Sequence, residues 1–273
     1  MLFKENKLMN SQRKIFDIHG HNGSWPDRIN CDELLFDVIK KEKISKVLIS
    51  NLSGLETQNH VEGGVPLINE SDANRQTIEL CKKNEGVLYA AAVCQVGHST
   101  PDALEQSLKE YKFTALKFHP FLIGIDANDK IYDPYLEIAE AHNLPCVFHS
   151  APGTSDPMKI YMLAKRHPKV PVVLYHINLM GNCEFTIEMI AKAVAKKEAN
   201  LYCDTAWCPM DVTVNALRSS IKNRVMFGSD LPIDGEEHFR YYRGIMQTVD
   251  ELMPDVADDY FYNTAARLFL GEK

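Results

Sequence analysis

The feature that most constrains this chain is an alternation repeated eight times. Short apolar runs rich in Val, Ile and Leu take turns with segments of helical spacing. The runs are 15–23, 46–50, 87–93, 114–119, 145–149, 171–177, 199–205 and 224–229. Helical segments are predicted over 31–43, 69–83, 101–111, 133–143, 156–167, 184–197, 211–220, 237–252 and 255–270. In the first, Leu34, Leu35, Val38 and Ile39 fall on one side. Thr100 stands as N-cap before Pro101, which suits a first helical position. Strands covered by helices on both faces read as continuous apolar runs. Eight of them in alternation predict an α/β fold, a single (β/α)8 TIM barrel with a C-terminal helix, over a doubly wound sheet. Such a barrel takes about 250 residues as one domain. The 273 residues then divide into an N-terminal extension, 1–14, and a barrel domain, 15–273.

Composition enters by exclusion. The formal net charge is -7, with Lys+Arg 30 against Asp+Glu 37, and no basic cluster stands out. That argues against a nucleic-acid surface. No apolar run approaches the ~20 residues that span a bilayer. The charged opening MLFKENKLMNSQRK lacks the apolar core of a signal peptide. Seven cysteines, odd in number and without a C-x-x-C pair, suit reduced thiols in a cytoplasmic protein. The expected partner is a small molecule.

In a TIM barrel, function sits at the C-terminal ends of the strands and in the loops that follow. The first run ends Asp17-Ile18-His19-Gly20-His21. Residues two apart on a strand share a face, so a regular strand would point Asp17, His19 and His21 the same way. Two imidazoles on one face can grip a divalent ion. Taken alone, they can equally be hydrogen-bonded polar residues at a strand end. The other runs supply the context. They end in Lys117-Phe118-His119-Pro120, His149-Ser150, His176-Ile177-Asn178 and Gly228-Ser229-Asp230. Nitrogen and oxygen donors from five strand ends close on one rim, which matches the three or four ligands zinc takes with a position left open.

This ordered set resembles the amidohydrolase superfamily, and more closely its amidohydrolase-related (amidohydrolase 2) branch of metal-dependent TIM-barrel hydrolases and decarboxylases. The H-x-H after strand one, K-x-H-P on strand four, His after strands five and six, and G-S-D-L-P after strand eight carry the resemblance, together with the late segment Asn263-Thr264-Ala265-Ala266-Arg267-Leu268-Phe269. It covers Ile15 to Leu270. The resemblance implies that His19, His21, His149 and Asp230 surround one divalent ion, expected to be Zn2+. It places His176 where the family has a second-metal ligand or an unligated catalytic histidine. Asp230 would also act as general base toward a metal-activated water.

Around this core stand candidate substrate-binding residues: Lys117, His119, Trp25, Arg28, Asn178 and Trp207. Lys117 reads three ways: a carbamate bridging a second ion, a cation contacting substrate, or an ion pair with Asp17. Asp17 itself reads equally as orienting a ligating imidazole or as a buried polar group paired with backbone. Trp25 and Trp207 read as pocket walls or as loop packing. Asp234, His238, Arg240 and Arg243 follow strand eight on the same rim. The 51–66 segment is long for a βα loop and reads as a lid or a subunit contact; His60 within it reads as exposed. The expected activity is metal-dependent hydrolysis of a lactone, ester or amide. The alternative is nonoxidative decarboxylation of an unsaturated or aromatic acid. The compactness of the chain favours hydrolysis, since decarboxylases of the branch carry larger loop insertions. The resemblance and the long second loop point toward a homodimer.

Overall fold

The computed structural model describes residues 13–26, 28–233 and 238–272. Most of the expected N-terminal extension, together with Asp234 and the side chain of His238, lies outside them. Eight parallel strands run in chain order around a barrel. They are β1 (Phe16–Asn22), β2 (Lys46–Asn51), β3 (Leu88–Val93), β4 (Ala115–Phe118), β5 (Cys146–His149), β6 (Pro171–Tyr175), β7 (Asn200–Asp204) and β8 (Val225–Met226). Each is followed by its helix: α1 (Cys31–Glu42), α2 (Glu70–Lys83), α3 (Pro101–Glu110), α4 (Asp133–His142), α5 (Pro157–Arg166), α6 (Cys183–Ala195), α7 (Met210–Arg218) and α8 (His238–Leu252). The circle closes between the first and last strands: Ile18 N–H donates to Phe227 O, and His21 N–H to Leu231 O.

The helices start where the sequence offers caps. Thr100 accepts from Ala103 N at 3.2 Å, Asn69 from Asp72 N and Asn182 from Phe185 N, each satisfying a donor that the helix leaves open. The expected C-terminal helix is interrupted. Beyond Pro254–Asp258 the chain continues in wider turns over Asp259–Asn263 and Ala266–Leu270. Ala265, Ala266 and Phe269 from this stretch join Phe16, Ile18, Leu48, Ala91, Ala115, Val147, Val173 and Met226 in the inner core. A separate apolar layer lies between strands and helices.

One expectation fails on β1. Its pairing with β2 slips between Asp17 and Gly20, the extra-residue irregularity of a β-bulge. The slip breaks the two-residue periodicity. Phe16 and Ile18 pack in the inner core, while His19 and His21 line a cavity above it. Asp17 therefore does not share a face with the imidazoles. It accepts hydrogen bonds from His19 N, Ser229 N and Ser229 Oγ instead. It tethers the two strands at the closure, and burial pushes its carboxyl up to about 7.

Candidate metal centre

His19 and His21 aim their Nε2 atoms at one oxygen. Asp230 Oδ1 stands 3.0 Å from the first and 2.9 Å from the second. The far side of each ring fixes its orientation. His19 Nδ1 lies 2.9 Å from Asp204 Oδ2. His21 Nδ1 lies 3.2 Å from the carbonyl of Ser50. A carbonyl and a carboxylate can only accept, so both Nδ1 atoms carry a hydrogen and both Nε2 atoms are turned to Asp230, donating to it when the rings are protonated and offering lone pairs to a cation held among them. The other Asp230 oxygen accepts from Trp207 Nε1 at 2.8 Å. This is a fitting donor set for a divalent cation: two imidazole nitrogens and a carboxylate oxygen converge on a point, each held from behind.

The electrostatics agree. Burial works against ionised Asp230, yet the imidazoles of His19, His21 and His176 hold its carboxyl well below the usual carboxylate range. Burial also disfavours a charged His19, but Asp230 and Asp204 outweigh it and raise its pKa. For His21, desolvation prevails and lowers it. Among the described residues, a second trio, His19, His176 and Asp204, also brings donor atoms together. Its carboxylate is already spent: Asp204 accepts from the His19 ring, His176 N and Ala206 N. This trio is a brace beneath the site.

The remaining rim histidines line the same cavity. His176 donates Nδ1–H to Ala206 O at 3.1 Å, leaving Nε2 as an acceptor in the cavity. Burial holds its pKa at about 4. His149 lies flat on His119, with ring centroids 4.0 Å apart, and joins neither trio. Burial keeps both of these rings far below the ordinary imidazole value. Lys117, 1% exposed, points its Nζ at the Tyr175 ring, 4.0 Å from the centroid. Desolvation brings its pKa down to about 7 against the pull of Asp230 and Asp204. Asp17 pairs elsewhere, so the ion-pair reading of Lys117 falls away.

These groups form the floor of a cavity of about 500 Å³, within the usual size of a small-molecule site. Its walls include Leu52, Leu55, Phe121, Leu122, Leu179 and Trp25. The long second loop supplies Leu52, Leu55, Glu56 and His60; His60 is exposed, as expected, and lines the cavity as well. Arg28 sits on Trp25, 4.5 Å from the ring centroid. Asn178 belongs to an adjoining cavity of about 630 Å³ that shares His176, Leu179 and Met180. Trp207 lines that cavity too and acts on the main site through Asp230. His176, Ile177, Met180, Trp207 and Asp230 all adopt left-handed backbone, with φ of 68°, 57°, 58°, 59° and 65°. Such φ values cost non-glycine residues energy and cluster where function demands a fixed geometry. Asp204 escapes a search for histidines, although its place at the polar end of an apolar strand marks it.

The family model for amidohydrolases matches residues 51–270. The chain belongs to the amidohydrolase family. No curated protein matches the sequence. Solved structures with the same fold include 2,6-dihydroxybenzoate decarboxylase from Rhizobium (12% identity, TM-score 0.72, 96% of this chain and 100% of that one). A dihydroxybenzoic acid decarboxylase from Polaromonas sp. JS666, with bound manganese and the inhibitor 2-nitroresorcinol, aligns at 13% identity and TM-score 0.71 over 96% of this chain and 98% of that one. 4-Oxalomesaconate hydratase from Rhodopseudomonas palustris aligns at 16% identity and TM-score 0.65 over 94% and 95%. At these identities the likeness is one of fold. The family and the donor set together make this a metal-dependent enzyme. No described helix of this amidohydrolase-family chain is long and apolar enough to cross a membrane.

Proposed function

We propose that the chain is a metal-dependent hydrolase acting on a lactone, ester or amide carbonyl of a small molecule. The observation that carries this reading is Asp230. Its carboxylate is held ionised at the floor of a part-open cavity, beside an imidazole, His176, with a free Nε2. Hydrolysis needs a base able to take a proton from water, and an ionised carboxylate is one. His19, His21 and Asp230 would hold one divalent ion, proposed as zinc, with His149 facing the same cavity. Bound there, the ion would acidify a water molecule and polarise the substrate carbonyl.

The chain's own groups do the rest. Asp204 and the Ser50 carbonyl keep the His19 and His21 rings turned so that their Nε2 lone pairs face inward. Trp207 fixes the plane of the Asp230 carboxylate, which takes up the water proton. His176 Nε2 accepts a hydrogen bond from the attacking water, and the proton taken up by Asp230 is the one returned to the leaving oxygen or nitrogen as the bond to the carbonyl carbon breaks. Leu52, Leu55, Phe121 and Leu122 exclude bulk solvent and strengthen these contacts. The same apolar walls favour a second reading, nonoxidative decarboxylation, because stripping water from a substrate carboxylate promotes loss of carbon dioxide.

A screen of lactones, esters and amides against unsaturated and aromatic acids, in ¹⁸O-labelled water with zinc- and manganese-loaded protein, separates the two. Hydrolysis puts the label into the acid product. Carbon dioxide release without labelled product would replace the first reading by the second. His19→Ala is expected to lose both metal and turnover. His176→Asn is expected to lose turnover and keep the metal; loss of the ion as well would make His176 a ligand.

A further inference from the structure

The second loop carries an ion pair for which the chemistry at the floor has no use. Glu56 is a buried carboxylate at the end of the short turn Leu52–Leu55. Both of its oxygens approach His60 Nδ1, at 3.2 and 3.0 Å. The His60 ring is packed between Trp25, 5.0 Å away between centroids, and Phe121, 5.6 Å away. Its backbone is left-handed, with φ 53°, so the loop bends against preference to bring this ring to the cavity. Nδ1–H is committed to Glu56. Nε2 has no partner among the described residues, and the residue lines the cavity wall. On the other side of the arrangement, the Arg28 guanidinium rests on Trp25 and has no ion pair among the described residues.

We infer that His60, held by Glu56 and seconded by Arg28 across Trp25, is a carboxylate-binding subsite, and that the substrate is an acid whose flat apolar body separates this carboxylate from the reacting group at the metal centre. This rests on the proposal that the cavity is the substrate site. A buried carboxylate demands a cationic neighbour, and Glu56 finds one in protonated His60. Protonated His60 then presents Nε2–H into the cavity as a charge-assisted donor. Glu56 and protonated His60 at this wall, with Arg28 exposed on Trp25 beside it, sum to one positive charge against the apolar surfaces of Leu52, Leu55, Phe121 and Leu122. A planar body fits beside Trp25 and Phe121, where rings stack well.

The charged groups facing His60 are few. The hydrogen bond to Glu56 raises its pKa, burial and the Arg28 charge oppose the rise, and His119 faces it from β4. The subsite is therefore charged at low pH and weakens as pH rises through the raised His60 value.

Calorimetric titration of the metal-loaded protein tests this with aromatic diacids of increasing span, from terephthalate to 4-(2-carboxyethyl)benzoate, each against the ester that masks its remote carboxylate. At least one diacid is expected to bind about 10-fold tighter than its ester, the worth of one charge-assisted hydrogen bond. His60→Gln is expected to erase that preference, with the circular dichroism spectrum unchanged. In Glu56→Gln the preference is expected to fade at lower pH than in the wild type. No diacid preference in the wild type, a preference that survives His60→Gln, or an unmoved pH window in Glu56→Gln would each overturn the proposal. The comparison is of binding only, so it stands or falls separately from the ¹⁸O result.

Discussion

Asp204 shows how one side chain sets the state of several. Its two oxygens hold the His19 ring and the backbone of His176 and Ala206. Replacing it with Asn keeps the shape and removes the charge that favours the His19 Nδ1–H tautomer. Asp204→Asn is therefore expected to weaken divalent-metal binding about 10- to 100-fold, measured by chelator competition, with the unfolding midpoint little changed. Unaltered metal affinity would reduce Asp204 to a packing residue. At this scale the sequence was only partly legible. His19, His21 and Asp230 could be placed because each stands at a strand end. Asp17 was misplaced, since a one-residue slip in β1 reverses its face and nothing in Phe16-Asp17-Ile18 announces it. His60 is exposed, as the sequence suggested, but its place on the cavity wall depends on a left-handed turn and on Glu56, neither visible in a loop sequence. Asp204 lay in plain view, but its role depends on reaching across the barrel to β1.

Among elements, the second loop is the one whose placement decides the cavity. Gln95 fastens it, donating Nε2–H to Gly54 O at 2.7 Å and Ile68 O at 2.8 Å. Glu70 at the start of α2 accepts from Gln95 N and Ser99 Oγ. Burial raises the Glu70 pKa above 4.5 despite these bonds. A carboxyl whose folded pKa is raised contributes stability below its unfolded value and loses it as pH climbs through the folded one. Wild-type stability is thus expected to fall relative to Glu70→Gln from about pH 4.5 upward, read from urea midpoints across pH. Parallel curves would show that Glu70 does not titrate in that range. The loop also rests on the turn after β4. Gly63 N–H donates to Leu122 O, and a Cβ on Gly124 would lie 2.6 Å from Gly63 Cα at a φ of +74°. Gly124→Ala is expected to cost about 1–3 kcal/mol and to loosen the loop, seen as faster amide exchange over 56–64. The strand and helix order was legible because burial on both faces leaves a plain signal. The seating of this loop was not, because it depends on contacts with β3 and β4 turns far away in sequence.

In the whole molecule, chemistry and stability occupy opposite ends of the barrel. The donor set crowns the C-terminal rim, and the segment after α8 seals the other end with Ala265, Ala266 and Phe269. Phe269 meets the Phe16 ring at 6.2 Å. Phe269→Ala is expected to cost about 3–5 kcal/mol in chemical denaturation while leaving metal affinity within about twofold, because additivity holds for sites far apart. A large loss of metal affinity would mean that the two ends are coupled. The barrel itself was readable from periodicity, whereas the broken helix that closes its base was not. An apolar run looks the same whether it winds regularly or widens to fit a hole.

The separation has a consequence for how such a protein can change. The groups at the floor are anchored at the ends of β1, β4, β5, β6 and β8, whereas Leu52, Leu55, Glu56 and His60 sit on a single contiguous stretch between β2 and α2. Lineages could therefore exchange that stretch as a cassette and acquire a new diet without renegotiating the reaction. An engineer grafting foreign sequence between Asn51 and Asn69 would be repeating an experiment the architecture invites.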